Sequence, residues 1–327
     1  MPVHAFIFPG QGSQSVGMGR DLAAAFSAAR EVFQEVDEVL QQKLSKLMFE
    51  GPAEELTLTE NTQPALMAMS LAVLRVLETE GHFKLAQKAI LVAGHSLGEY
   101  SALAGAGSFS IADTARLLRL RGQAMQKAVP AGEGAMAALL GVEIDQAAAI
   151  CEEAALVPDS ITPERPNGTR QIVEPANDNG GGQVVISGHR EAVERAIDVA
   201  KARGVRRAML LPVSAPFHCA LMAPAADVMA AAFERTPPLA PLVPLIANIS
   251  AAKATDPATI RDGLIRQVTA TVRWRESVLA MGAIGVDSYL ELGAGKVLAG
   301  LIKRITPEAA GLSAGTPAEI EAMLKAL

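Results

Sequence analysis

A chain of 327 residues is long enough to bury a large core and to form two unequal lobes. Half of its residues are hydrophobic and only 4% aromatic, so that core is built from Ala, Leu, Val and Ile, and a net charge of −6 withholds the cationic field that a general nucleic-acid binder needs. Cys151 and Cys219 are the only cysteines, which excludes a disulfide framework and a cysteine-rich zinc site. The N-terminal MPVHAFIFPGQG has no basic segment followed by a long apolar one, and no apolar run reaches membrane-spanning length. These features lead to the expectation of a soluble, cytoplasmic protein.

Val3–Phe8 reads as a first strand, followed by Pro9–Gln14, a rigid glycine-rich turn able to bring backbone N–H groups close to a ligand. It is not a P-loop, since no Gly-Lys-Ser/Thr follows. Asp21–Leu40 is amphipathic at helical spacing, Gly51-Pro52 interrupts, and Thr59–Pro64 reads as a polar loop before a long helix, Ala65–Glu80. Gln63, just before Pro64, is biased away from helix; it reads as a solvated loop glutamine, with a substrate contact as the alternative.

The run Ile90–Ala93 predicts a buried strand, Gly94-His95-Ser96-Leu97-Gly98 a sharp turn, and Glu99–Ala104 a helix. Strand, Gly-x-Ser-x-Gly and helix make the layout of a nucleophile elbow, with Ser96 projecting beside a helix N-terminus that favours developing negative charge. The helix Ile111–Ala128 follows, carrying Arg116, Arg119 and Arg121; spacing alone separates none of the three. After the linker Pro130–Gly134 the units shorten: strand Ala135–Val142, helix Asp145–Leu156, strands Gln171–Pro175 and Gln183–Ser187, helix Glu191–Arg203, strand Val205–Val213. That β-α-β-β-α-β order predicts a ferredoxin-like unit over residues 132–212, inserted between the two parts of a larger α/β lobe, 1–131 and 213–327. Pro158–Arg170, rich in proline and charge, is expected as a flexible surface loop within it. Downstream come the helix Pro224–Phe233, the strand Leu242–Ile249, the helices Thr259–Val268 and Trp274–Met281, the strand Ser288–Leu292 and a last substantial helix opened by Gly293–Lys296. Strands alternating with helices through the large lobe predict a mostly parallel sheet covered on both faces.

A serine hydroxyl needs a neighbouring base. Of the five histidines, His4 lies inside a strand, His82 in a surface connection, His189 in a turn of the inserted unit, and His95 beside Ser96 in a turn whose neighbours point apart. His218, held between prolines where the chain re-enters the large lobe, is left as the base. No third carboxylate is evident. A histidine this far from the C-terminus and the absence of a His-Gly-Gly-Gly segment both count against an ordinary esterase.

FPGQGSQSVGMG at Phe8–Gly19, GHSLGEYSAL at Gly94–Leu103, RGQAMQ at Arg121–Gln126, GQVVISG at Gly182–Gly188, PVSAPFHCALM at Pro212–Met222 and ELGAGKVLAGLIKR at Glu291–Arg304 resemble malonyl-CoA:acyl carrier protein transacylases, in order and over residues 4–305. The resemblance implies an α/β-hydrolase-like large lobe with an inserted ferredoxin-like lobe. It implies Ser96 as the nucleophile, His218 as its base, and the backbone N–H groups of Gln11 and Leu97 as an oxyanion hole. It also implies that Arg121 receives the malonyl carboxylate, that the Gln267 carbonyl orients His218, and that Asn177 and Asn248 stand at substrate-binding positions. Phe217, where some members carry serine, is the residue of malonyl-selective polyketide acyltransferases. The implied reaction is a ping-pong transfer from malonyl-CoA to the phosphopantetheine thiol of acyl carrier protein, supplying fatty-acid synthesis, by a monomer that needs no metal, redox cofactor, nucleic acid or membrane. A polyketide-type acyltransferase, a serine thioesterase and a non-catalytic carrier-binding module are the rivals. For docking an acidic carrier, Lys201, Arg203, Arg206, Arg207, Lys296, Lys303 and Arg304 are the basic candidates.

Overall fold

Alternate side chains of a strand point to opposite faces, and in HAFIF both faces are apolar. Accordingly β1 (His4–Phe8) is buried along its whole length, with Ala5 and Ile7 in one core and Phe6 and Phe8 in another. The computed structural model describes residues 2–158 and 168–327. The remaining strands are β2 (Ala89–Gly94), β3 (Gly134–Leu140), β4 (Val173–Gly180), β5 (Gln183–His189), β6 (Arg207–Leu210), β7 (Leu245–Ile246), β8 (Lys253–Ala254), β9 (Ser288–Leu292) and β10 (Ala310–Ala314). One sheet runs β10-β9-β1-β2-β7-β8, parallel throughout except for β8, which lies antiparallel on β7. Helices cover both of its faces, as expected.

The other sheet is antiparallel, in the order β4-β5-β3-β6. Ala137, Leu139, Val184 and Ile186 pack on the helices Ile144–Ala154 and Arg190–Ala202, while Met136, Ala176 and Val185 on the opposite face join the main core. This is the ferredoxin-like β-α-β-β-α-β arrangement, and its second face closes over the C-terminal ends of β1 and β2.

Four local expectations are corrected. Asp21–Leu40 is two helices, Arg20–Ala25 and Ser27–Leu40, because Phe26 is extended; Arg30 donates to the Ala23 and Ala24 carbonyls freed by the break. Thr59–Pro64 is the buried first part of the helix Thr59–Glu80, with Pro64 inside it. Asn61 and Thr62 side chains donate to the carbonyls of Glu55 and Leu56, and Gly122 lets the helix Ile111–Lys127 approach so closely that a Cβ there would lie 2.6 Å from the Glu60 Cα. Packing outweighs the one hydrogen bond that proline removes. The strand Leu242–Ile249 shrinks to β7, and β10 with the helix Pro317–Ala326 extends the chain beyond the anticipated last helix. Of the loop Pro158–Arg170, residues 159–167 lie outside the described residues; Arg170 bridges to Leu156 and pairs with Glu152 at 2.6 Å.

Candidate active site

The elbow is built by close backbone approach. A Cβ on Gly94 would lie 2.0 Å from the Gly98 carbonyl carbon, and one on Gly98 would lie 2.2 Å from the Phe8 carbonyl oxygen. Only glycine fits either place. Between them Ser96 takes φ +54, a left-handed conformation that non-glycine residues rarely adopt, and it turns the hydroxyl into a cavity of about 530 Å³ between the two sheets. Asn248 fixes this turn from behind: its Oδ1 accepts from the Ser96 N–H at 2.8 Å and its Nδ2 donates to the Gly94 carbonyl at 2.7 Å.

His218, itself at φ +60, sits 2.7 Å from the Ser96 Oγ through Nε2. Its Nδ1 lies 2.8 Å from the Gln267 carbonyl oxygen. A carbonyl can only accept, so Nδ1 carries the proton and Nε2 is free to take one from serine. That carbonyl is available because Gln267 ends the helix Pro257–Gln267, where the last C=O groups have no intrahelical partner. No acid is therefore needed to orient the imidazole. Burial, with the Arg121 cation adding to it, pushes the His218 pKa down to about 3, so the ring is neutral at pH 7.

Of the three helix arginines, the structure brings only Arg121 to the serine. Arg116 pairs with Asp113 at the surface, and Arg119 donates to Asn61. Arg121 is 1% exposed and donates to Gln63 Oε1 (2.8 Å), Gln267 Oε1 (2.8 Å) and Ser96 Oγ (3.2 Å), with its guanidinium carbon 5.5 Å from the Tyr100 ring centre. Its Nε is buried without a partner among the described residues. Gln63 is thus a buried helical residue rather than a solvated one. Gln11 and Leu97 line the cavity, and their backbone N–H groups have no partner among the described residues, as donors waiting for an oxyanion would. Asn177 lines the cavity; Asn248 and Gln267 lie behind its wall. Phe217 lines it too.

Two residues here, Thr59 and Glu99, carried no role in the sequence analysis, and His95 takes the outward direction expected of it. His95 points away from Ser96 and donates from Nε2 to Asn179 Oδ1 at 2.9 Å, joining the elbow to β4. Thr59 links Gln11 to Gln63, donating to Gln11 Oε1 and accepting from Gln63 Nε2. Glu99 is buried beneath the elbow. Nothing in the local sequence marks it, since a carboxylate in a first helical turn is ordinary.

An acyl transferase domain model matches residues 5–316. The malonyl CoA-acyl carrier protein transacylase of Escherichia coli (strain K12) is 46% identical over 325 residues, covering 99% of this chain and all of that protein; the one of Bacillus subtilis (strain 168) is 44% identical, covering 99% and 96%. The chain belongs to the malonyl CoA-acyl carrier protein transacylases. Among solved structures, an acyl-carrier-protein-S-malonyltransferase from Bartonella henselae superposes with a TM-score of 0.92 at 53% identity over 99% of both chains. A malonyl-transacylase in complex with its type II PKS acyl-carrier protein gives 0.91 at 42%, covering 99% of this chain and 100% of that one.

The basic candidates for carrier docking divide. Lys296 pairs with Glu319 at 2.7 Å, Lys201 with Asp198 at 3.3 Å, and Arg203 with Glu153. Arg304 lines the cavity mouth, and it, Arg206, Arg207 and Lys303 make no ion pair among the described residues. Among those residues no cluster of three or more His, Cys, Asp or Glu could hold a metal ion, and no helix is long and apolar enough to cross a membrane.

Proposed function

We propose that this acyltransferase carries a malonyl group from malonyl-CoA to the phosphopantetheine thiol of acyl carrier protein through malonyl-Ser96, supplying fatty-acid synthesis. The observation that carries the reading is the convergence on one atom: Ser96 Oγ lies 2.7 Å from a neutral imidazole nitrogen and 3.2 Å from a buried guanidinium. His218 Nε2 takes the hydroxyl proton as Oγ attacks the thioester carbon. The oxyanion is received by the N–H groups of Gln11 and Leu97, the tetrahedral centre collapses, and the CoA thiolate leaves with the proton from His218. The carrier thiol then attacks the ester by the same steps in reverse and restores Ser96.

Arg121 takes the free carboxylate of the malonyl group, adding a charged acceptor to the neutral ones of Gln63 and Gln267. Asn177 and Gln63 contribute to the substrate wall, and Asn248 holds the elbow rather than the ligand. The thioester chemistry calls for no metal or cofactor, the net charge of −6 suits neither nucleic acid nor anionic lipid, and a cytoplasmic monomer is the matching working form. The polyketide carrier in complex with a 42% identical relative makes a polyketide-type carrier the second reading.

Intact-protein mass after brief exposure to malonyl-CoA, beside acetyl-CoA and a Ser96→Ala control, tests this. A malonyl adduct on the wild type alone, passed on to added carrier protein, is expected. Free CoA accumulating without an adduct would make the protein a thioesterase, and neither signal would leave a binding module. For docking, Arg304→Glu is expected to slow transfer from malonyl-Ser96 to the carrier about tenfold at low salt while acylation by malonyl-CoA keeps its rate, since rim charges act on encounter. Equal slowing of both steps in a stopped-flow assay would remove Arg304 from the docking surface.

A further inference from the structure

The chemistry above leaves one buried ionisable group beneath the nucleophile unused. Glu99 is 2% exposed, in the first turn of the helix Gly98–Gly105. Its carboxylate accepts from Gln267 Nε2, and from the Asn248 N–H at 3.5 Å. The Gln267 amide faces two ways. Oε1 accepts from Arg121 Nη2 at 2.8 Å, while Nε2 donates to Glu99 and to the Ser96 carbonyl at 3.0 Å. A guanidinium only donates, so the amide has one orientation, and it bridges the cation to the carboxylate.

Arg121 has no direct carboxylate partner among the described residues; Glu99 is the acid whose charge reaches it, alongside the Tyr100 hydroxyl. The groups acting on Glu99 are Arg121 from the helix Ile111–Lys127, Gln267 from the helix Pro257–Gln267 and Asn248 from the turn after β7, with Tyr100 beside it on its own helix. Burial pushes Glu99 up to about 7, with Arg121 and the two amides opposing; burial likewise puts Tyr100 at about 12, so it stays neutral. The unloaded site therefore holds one cation and one partly ionised acid. A malonyl carboxylate adds a second anion to the same cation, and two carboxylates that share a dry site cannot both stay ionised cheaply.

We propose that seating the malonyl carboxylate on Arg121 draws a proton from solvent onto Glu99, so that the anion that arrives replaces the negative charge that Glu99 carried. One O–H bond forms on the Glu99 carboxyl, the buffer supplies the proton, and no other bond changes. Glu99 is thus a positioning residue that acts through Gln267 and makes malonyl loading pH-dependent. The inference rests on the reading that Arg121 takes the malonyl carboxylate.

Calorimetry of malonyl-CoA binding to Ser96→Ala at pH 7.5, in buffers of low and high ionisation enthalpy, reads the proton directly; acetyl-CoA subtracts the share of the CoA phosphates. Uptake of about half to three-quarters of a proton per site is expected with malonyl-CoA beyond acetyl-CoA, as is malonyl-CoA affinity that falls by up to about fivefold between pH 7 and 8. Adding Glu99→Gln, which keeps an acceptor for Gln267, should abolish both. Malonyl preference without extra proton uptake, or uptake that survives Glu99→Gln, overturns the proposal while leaving the role of Arg121 intact. Should Glu99→Gln fail to fold, a pH-independent affinity of Ser96→Ala for malonyl-CoA overturns it equally. Loss of malonyl-over-acetyl preference in Arg121→Ala is the separate check on the parent reading; preference retained there would fell both.

Discussion

Replacing His218 by alanine is expected to lower the rate of malonyl-Ser96 formation about 10³- to 10⁴-fold at saturating malonyl-CoA, with little change in KM. The reason is that the Ser96 hydroxyl has two polar neighbours, and only His218 Nε2, at 2.7 Å, can accept its proton; Arg121 Nη2 can only donate. The pH dependence of the intact enzyme follows from the same geometry. The neutral ring is the active form, and with its pKa held at about 3 it stays neutral as the pH falls. The saturated acylation rate should therefore remain flat from pH 8 to about 5, where an exposed histidine would already have lost half its activity near pH 6.5. A limb centred near 6.5 would mean that burial does not depress the ring's pKa, and a His218→Ala enzyme that still acylates within tenfold of wild type would assign the base elsewhere.

What could be read from the chain and what could not divides by the range of the interaction. The elbow is local: an apolar run, two glycines and a serine specify strand, turn and helix within about fifteen residues, and Ala89–Gly105 folds that way. The ferredoxin-like unit was legible because its strand and helix periods alternate cleanly. His218 emerged by elimination among five histidines, which identifies a residue and not a geometry. Gln267 acts through its backbone carbonyl, a group every residue possesses, so no side-chain pattern points to it; only the family resemblance did. Gln63 was misplaced because Pro64 argues against helix locally, whereas the close approach of Gly122 to Glu60 that stabilises the helix lies some sixty residues away in sequence. Glu99 is locally an ordinary charge in a first helical turn, where a carboxylate suits the dipole. Its burial depends on Asn248 and Gln267, whose approach no local spacing encodes.

The choice of malonyl over acetyl donors should depend on Arg121 more than on any other side chain. Its guanidinium is 1% exposed, and in the unloaded site its two terminal nitrogens are met by the neutral oxygens of Gln63, Gln267 and Ser96. Such acceptors offset desolvation only in part, and burial lowers its pKa from the ordinary value without discharging a guanidinium. An arriving carboxylate supplies what is missing, whereas an acetyl donor leaves the cation as it was. Removing one member of a buried charge pair costs about 3–5 kcal/mol, and each 1.4 kcal/mol is a factor of ten. Arg121→Ala should thus lose about 10²- to 10³-fold in kcat/KM with malonyl-CoA while leaving acetyl-CoA unchanged or improved, because the acetyl group meets neutral acceptors and space. Arg121→Lys should fall between the two, since an ammonium restores the charge but not the planar fork that engages Gln63, Gln267 and a carboxylate together. Competing the two donors for the enzyme and weighing the adducts by intact mass reads the ratio directly. A ratio unchanged in Arg121→Ala would place malonyl recognition on the cavity wall at Asn177 and Phe217 instead.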